Sequence, residues 1–311
     1  MGALPPCLRI SERRPAPLAA QVGAQPSVKV TYSDGKHDFP HKKAKMTTIL
    51  LYMLCGATAG FLSGLIGIGG GLVVVPLLNI IFQLQGDIAP ELVMHLAIGT
   101  SLSSILFTAL SSARAHARRG GVLWDYVKGL APAIVLGTIC AAWLASRMST
   151  AGLRGFFVVF LLCVATQMLF DFYPRPRKSM PGRGALAAAG FTIGGVSSLV
   201  GLGGGSMSVP FLRWCGVGMR QAVGTSAAIS WPIAVSGTIG FILVGWNSPD
   251  LPAWSLGYVS LPATLGIACS SVFIAPLGVK LAHALPVAVL RRIFAVFLYV
   301  TAGEMLWTLF H

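Results

Sequence analysis

The sequence predicts an all-α polytopic membrane protein built from two inverted repeats, each a glycine-broken helical hairpin followed by three transmembrane helices. Three observations carry that expectation: an apolar composition, an internal repeat, and the placement of charge between apolar runs. Of 311 residues, 55% are hydrophobic and 10% charged, with a mean hydropathy of +0.76. Soluble chains carry about 25% charged residues. The apolar runs reach the roughly 20 residues that a helix needs to cross a hydrocarbon core. They are continuous rather than alternating, so helices satisfy the backbone in lipid.

The repeat is read most directly from two glycine-rich stretches, Gly56–Leu78 and Gly190–Leu212. At one offset Gly56 pairs with Gly190, Gly60 with Gly194, Gly64 with Ser198 and Gly67 with Gly201. The triplet Gly69, Gly70, Gly71 pairs with Gly203, Gly204, Gly205, and Pro76 with Pro210. Two apolar segments that stop at three glycines and restart before a proline mark an internal repeat.

Residues 1–45 are rich in proline and charge, lack a signal-type apolar run, and read as a disordered basic tail. Met46, directly before the first apolar run, is a candidate initiator, which intact-mass measurement of the native protein decides. Apolar runs at 47–66 and 71–85 flank the first break, and those at 93–113, 128–146 and 154–172 complete repeat 1 over 46–173. Residues 174–183 form a polar, cytoplasmic linker. Runs at 184–202 and 205–214 flank the second break, and 220–245, 254–279 and 288–309 complete repeat 2 over 184–311. Ala97 and Gly99-Thr100-Ser101 answer to Ala222 and Gly224-Thr225-Ser226; Pro132 with Gly137 resembles Pro262 with Gly266; Leu153-Arg154 with Phe160 matches Leu290-Arg291 with Phe297.

A net charge of +14 invites a nucleic-acid reading, but the basic residues sit in short clusters between apolar runs. That is the positive-inside pattern, and nucleic acid is not an expected partner. Loops 83–91 and 246–253 are acidic, whereas 114–128, 175–183 and 280–292 are basic. All five biases are met when each broken segment enters and leaves on the same side, which inverts one half relative to the other. Lys42, Lys43, Lys45, Arg147 and Arg154 fall on the acidic side in this arrangement.

Chemistry is expected at the breaks. Gly67-Ile68-Gly69-Gly70-Gly71-Leu72 lacks the last glycine of a dinucleotide fingerprint, and no strand or GK[ST] accompanies either break. The physical reading is a helix that unwinds near mid-membrane, with a second helix beginning between Gly71 and Pro76, the proline suiting a first helical position. The new N-terminus offers free N–H groups and the positive end of a dipole to an anion. Two such ends in inverted repeats describe a transport site at the midplane. Gly69, Gly70, Gly71, Gly203, Gly204 and Gly205 are therefore the substrate-binding candidates, joined by the hydroxyls of Thr100, Ser101, Thr225 and Ser226, which alternatively bond their own helices. Gly56, Gly60, Gly64, Gly190 and Gly194 are read as close-packing positions.

Ionisable residues within apolar runs are few. Glu304, at the repeat position of Gln167, is the coupling candidate. His95 and Asp171 are expected to be solvated at helix ends, and Arg154 and Arg291 to anchor at the interface. The six cysteines have no C-x-x-C and no histidine at ligand spacing, so no disulfide framework, metal or cofactor is expected. Neither H-E-x-x-H nor G-x-S-x-G occurs, which weighs against an intramembrane enzyme; an anion channel stays open as an alternative.

These residues resemble the TauE/SafE family, the sulfite and organosulfonate exporters of the 4-toluene sulfonate uptake permease type. The resemblance rests on the paired G-x-G-G-G-x4-P stretches, the A-x-G-T-S motif after each, and the L-R-x5-F helix ending each half. It covers about residues 46–309 and leaves out the basic N-terminal extension. It implies a multi-pass permease of the bacterial inner membrane for sulfur-containing oxyanions, proton-linked, with a small anion, membrane lipid and a second copy of the chain as partners.

Overall fold

The structure, a computed structural model, describes residues 41–66, 70–86, 88–170, 181–282 and 287–310. Residues 1–40 of the N-terminal tail, Gly67, Gly69, Asp171 and most of the linker lie outside the described residues, as do the surroundings of Gly64 and the side chain of Arg291, whereas 41–45, read as the end of the tail, begin the first helix. The first half forms α1 (His41–Ile66), α2 (Gly71–Gln85), α3 (Val93–Arg118), α4 (Trp124–Arg147) and α5 (Thr150–Phe170). The second forms α6 (Arg183–Val200), α7 (Gly205–Trp214), α8 (Met219–Gly245), α9 (Leu261–Ala282) and α10 (Val287–Phe310). Among the described residues, α3, α4, α5, α6 and α8 are long and apolar enough to cross a membrane.

Two element boundaries differ from the sequence reading. The basic stretch 114–128 is mostly helix: α3 runs to Arg118 and α4 starts at Trp124. His116 and Arg118 occupy the last turn of α3, where cations suit the helix dipole. The run expected as helix from 254 instead opens with a two-rung antiparallel ladder, β1 (Ser255–Leu256) and β2 (Val259–Ser260), before α9. Gly257, with φ of 52°, turns that ribbon. Its Tyr258 N–H donates to the Phe241 carbonyl at 3.2 Å, and a Cβ at Gly99 would collide with the Tyr258 carbonyl. Packing on α3 and α8 thus overrides the helical period.

The first broken segment folds back on itself. Tyr52 of α1 meets Gln85 at the far end of α2, with Gln85 Nε2 donating to the Tyr52 hydroxyl at 3.0 Å. The same tyrosine packs edge-on against Phe82, centroids 6.3 Å apart. Both partners lie about four helical turns from the break, so α1 and α2 form a hairpin. With 15 and 10 residues, α2 and α7 extend only about 22 and 15 Å, short of the roughly 30 Å hydrocarbon thickness.

Equivalent helices of the two halves run in opposite directions where they meet. On α3 and α8, Gly99 lies against Phe241 and Leu102 against Gly237. On α5 and α10, Arg154 Nη1 donates to the Thr308 carbonyl at 3.0 Å and Thr166 bonds the Tyr299 hydroxyl at 2.7 Å. The sequence halves are not the packing units, because α4 and α9 are exchanged. Gly56 and Gly60 of α1 press on Ile267, Ser270 and Ser271 of α9, while Gly190 and Gly194 of α6 press on Leu130 and Ile134 of α4. An added Cβ would fall 2.7 Å from Ser271 at Gly60 and 2.8 Å from Leu130 at Gly190, so these glycines are the close-packing positions expected of small-xxx-small helices.

The exchange is fastened by two matched hydroxyls. Thr100 accepts a bond from the Ser260 N–H at 3.0 Å, just ahead of α9. Thr225 accepts one from the Leu123 N–H at 2.9 Å, just ahead of α4. Each threonine therefore holds the start of the helix donated by the other half. Replacing Thr225 with valine keeps the shape and leaves the Leu123 N–H unpaired, at about 1–3 kcal/mol. Thermal unfolding in detergent is expected to fall by several degrees for Thr225→Val and little for Thr225→Ser.

His95 is not the solvated helix-end residue the sequence suggests. It is 5% exposed, with Nδ1 3.2 Å from the Glu91 carbonyl and Nε2 3.0 Å from the Ala145 carbonyl. A neutral imidazole donates to one of these carbonyls and an imidazolium to both. The ring ties the start of α3 to the end of α4, which explains its burial.

Candidate functional site

The second break is built by glycines at left-handed positions. Gly201 closes α6 with φ of 71° and ψ of 33°. Its N–H donates to the Ser198 carbonyl at 3.2 Å, and the Leu202 N–H to the Ser197 carbonyl at 2.7 Å, satisfying the last carbonyls of α6 as αL caps do. Gly204 then starts α7 from φ of 78°, a conformation costly for any residue with a Cβ. Its carbonyl receives the Met207 and Ser208 N–H groups at 3.1 and 2.8 Å. Among the described residues no acceptor faces the N–H groups of Gly203, Gly204, Gly205 and Ser206. The hydroxyls of Ser197, Ser198 and Ser206 are likewise buried without a partner. The break thus gathers unpaired donors at the positive end of α7, in a segment whose glycines are all buried.

In the first break, Gly70 precedes α2 in right-handed geometry, φ −68° and ψ −15°. The Val73 and Val74 N–H groups both bond its carbonyl at 3.1 Å. Pro76 and Pro210 are not first helical residues, because α2 and α7 begin at Gly71 and Gly205 and enclose the prolines. Each proline removes the bond that its N–H would give to the first turn, so the carbonyls of Leu72 and Ser206 lose their helical donor. Gly71 is glycine for a spatial reason: a Cβ there would stand 2.6 Å from the Gly201 carbonyl, 2.8 Å from Leu202 and 3.0 Å from Ile105. The two breaks touch.

The hydroxyl candidates divide. Ser101 donates to the Gly201 carbonyl at 2.8 Å, tying α3 of the first half to the break of the second. Ser226 bonds Ser208 at 2.7 Å, and Ser208 donates to the Gly204 carbonyl at 2.8 Å, so Ser226 braces α7 from α8. Both serines sit at the junction. Thr100 and Thr225 sit at the exchanged helix starts instead. The alternative of hydroxyls bonding back to their own helix holds for none of the four. Ser197, Ser198 and Ser206 escaped the sequence reading, although two of them immediately precede the second break and the third follows it.

Glu304 lies apart from this junction. It is on α10, half-buried, with Oε2 shielded from solvent and without a hydrogen-bond partner among the described residues. Arg154 turns inward rather than anchoring at the interface: Nη1 bonds the Thr308 carbonyl and Nη2 the Asn79 Oδ1 at 3.4 Å. The fully buried Asn79, with no outlet to water, supplies the reason.

Apolar helices long enough to cross a membrane, interrupted at two glycine-rich breaks that touch, define a polytopic membrane protein. Residues 52–305 match the sulfite exporter TauE/SafE family, and the chain belongs to that family. It is 39% identical over 264 residues to a probable membrane transporter protein of Haemophilus influenzae, covering 83% of this chain and 98% of the relative. A probable membrane transporter protein of Bacillus subtilis is 28% identical over 265 residues, covering 81% of this chain and 96% of that one. An archaeal one, from Methanocaldococcus jannaschii, is 27% identical over 243 residues, covering 74% and 85%. No solved structure matches the chain.

Proposed function

We propose that the chain is a secondary transporter that carries a small anion, sulfite, an organosulfonate or a related sulfur oxyanion, across the bacterial inner membrane by alternating access. The observation that carries this reading is the contact between Gly71 and the Gly201 carbonyl beside four N–H groups that meet no acceptor among the described residues. An oxyanion presents several acceptors and no donor, which matches a site that presents donors at a helix N-terminus. The depth fits as well: α7, at about 15 Å, takes the second break to half the hydrocarbon thickness. The antiparallel course of α3 with α8 and of α5 with α10 supports inverted repeats over 46–173 and 184–311, joined at 174–183. The junction is packed shut by Ile105, Ile233 and Leu202, so the solute reaches the amides when the two hairpins part. No ATP motif occurs in the sequence, which leaves an ion gradient as the drive.

Thermal unfolding of purified protein with sulfite, thiosulfate, sulfate, taurine and sulfoacetate tests this reading. At a hundred times its dissociation constant a ligand adds about 2.7 kcal/mol, so the true substrate raises the midpoint by several degrees. No response to any of the five contradicts the proposal. Saturable, gradient-coupled flux in proteoliposomes is expected, and a non-saturating conductance would mark a channel instead.

A further inference from the structure

We propose that Asn79, Arg154 and Glu304 form a second anion site, midway along the second helix of the first hairpin, which takes an oxyanion together with one proton. This site rests on the anion-transport reading and adds a stopping point on the path to the breaks. Asn79 lies eight residues beyond Gly71 on α2, about 12 Å along the helix. It is fully buried, and its Oδ1 accepts from Arg154 Nη2 at 3.4 Å. That bond fixes the amide, because the flipped form would set two donors face to face. Among the described residues Nδ2 is left buried and unpartnered. Arg154 spends Nη1 on the Thr308 carbonyl and keeps Nε buried, likewise without a partner among the described residues. Glu304 interacts electrostatically with Arg154, yet neither Nε nor Oε2 completes a bond between them.

Two donors and one carboxyl oxygen thus stand unsatisfied around one guanidinium. A cation is excluded by Arg154. An oxyanion accepts from Nε–H and Nδ2–H, and an ionised Glu304 beside it would repel it. Protonated, the same carboxyl donates its O–H to a further oxygen of the anion. Binding therefore takes up one proton onto Glu304, and release returns it. On the elements packed here, α5 presents Arg154 and Cys163 and α10 presents Glu304 and Tyr299, the latter bonded to Thr166. Helix α2 carries no titratable residue. In the other half Gln167 stands where Glu304 does and the exposed Arg213 where Asn79 does, so the titrating group exists on one side only.

The test measures anion binding and proton uptake together, on the full chain in lipid nanodiscs. The probes are thiosulfate, sulfate and sulfoacetate, none of which titrates near neutral pH. Wild type should take up about one proton per anion bound at this second site, whose affinity falls about tenfold per pH unit once Glu304 ionises. Glu304→Gln should bind with no proton uptake and no pH dependence over that range. Arg154→Gln should weaken binding tenfold or more, and Arg154→Lys less. Wild-type binding without proton uptake, or Arg154→Gln and Asn79→Leu binding as wild type, overturns the second site while leaving the breaks intact. Absence of binding by all three probes and by sulfite overturns the transport reading and this inference with it.

Discussion

Substituting Gly204 with valine is expected to abolish transport while the protein still inserts and folds. The residue sits at φ of 78°, where a branched side chain costs about 1–2 kcal/mol from backbone sterics alone. A Cβ would also lie 2.5 Å from Ile233 and 3.4 Å from the Ser197 hydroxyl. The backbone can relieve this only by rotating the peptide units whose N–H groups line the break. Losing one preorganised donor typically costs a hundredfold or more in rate, about 3 kcal/mol, and here several move at once. The α4–α6 and α1–α9 contacts are untouched, so assembly persists. Anion flux into proteoliposomes with equal inserted protein is the measurement, and unchanged flux would remove the break from the mechanism.

The second large effect is expected at Gly71 for a different reason. Its backbone is ordinary right-handed helix, so valine meets no conformational penalty there. The side chain would instead enter the space held by the Gly201 carbonyl, Leu202 and Ile105. Overpacking of this kind costs about 1–3 kcal/mol, and it acts by prising the two breaks apart. Gly71→Val should therefore lower thermal stability and transport together, whereas Gly204→Val acts chiefly on transport. At Gly155 on α5 an added methyl would have nothing within 4 Å, and Gly155→Ala should leave both within about 0.5 kcal/mol of wild type.

How far the fold was legible depended on which physical signal each feature leaves in sequence. Helices α3, α4, α5, α6 and α8 announced themselves as apolar runs, since lipid demands length and composition together. The glycines at 56, 60, 190 and 194 were legible as packing residues because spacing of four puts them on one helix face. Which helix they meet was not. Nothing in a periodic pattern says that α6 receives α4 and α1 receives α9, and this exchange rests on contacts distant in sequence. The β-ribbon at 255–260 was hidden because its residues are as apolar as those of a helix, and only Gly257 hinted at a turn.

At the candidate site the glycine triplets stood out, and their convergence on one another did not. Thr100 and Thr225 were singled out for hydroxyls at matched positions, and the structure gives those hydroxyls to the backbone of the opposite half. Arg154 looked like an interface anchor because it opens a helix, and it turns inward because the buried Asn79 and the Thr308 carbonyl accept its protons. Pro76 and Pro210 misled by their placement after the glycines: both helices begin five residues earlier, at Gly71 and Gly205.

The most direct measurement is a structure of the protein bound to the oxyanion that stabilises it most. Ligand density is expected within hydrogen-bonding distance of the Gly203–Ser206 amides, with the two hairpins shifted apart around Gly71 and Gly201. Density that sits elsewhere in the bundle, with those four amides still unpaired, would contradict a transport site at the breaks.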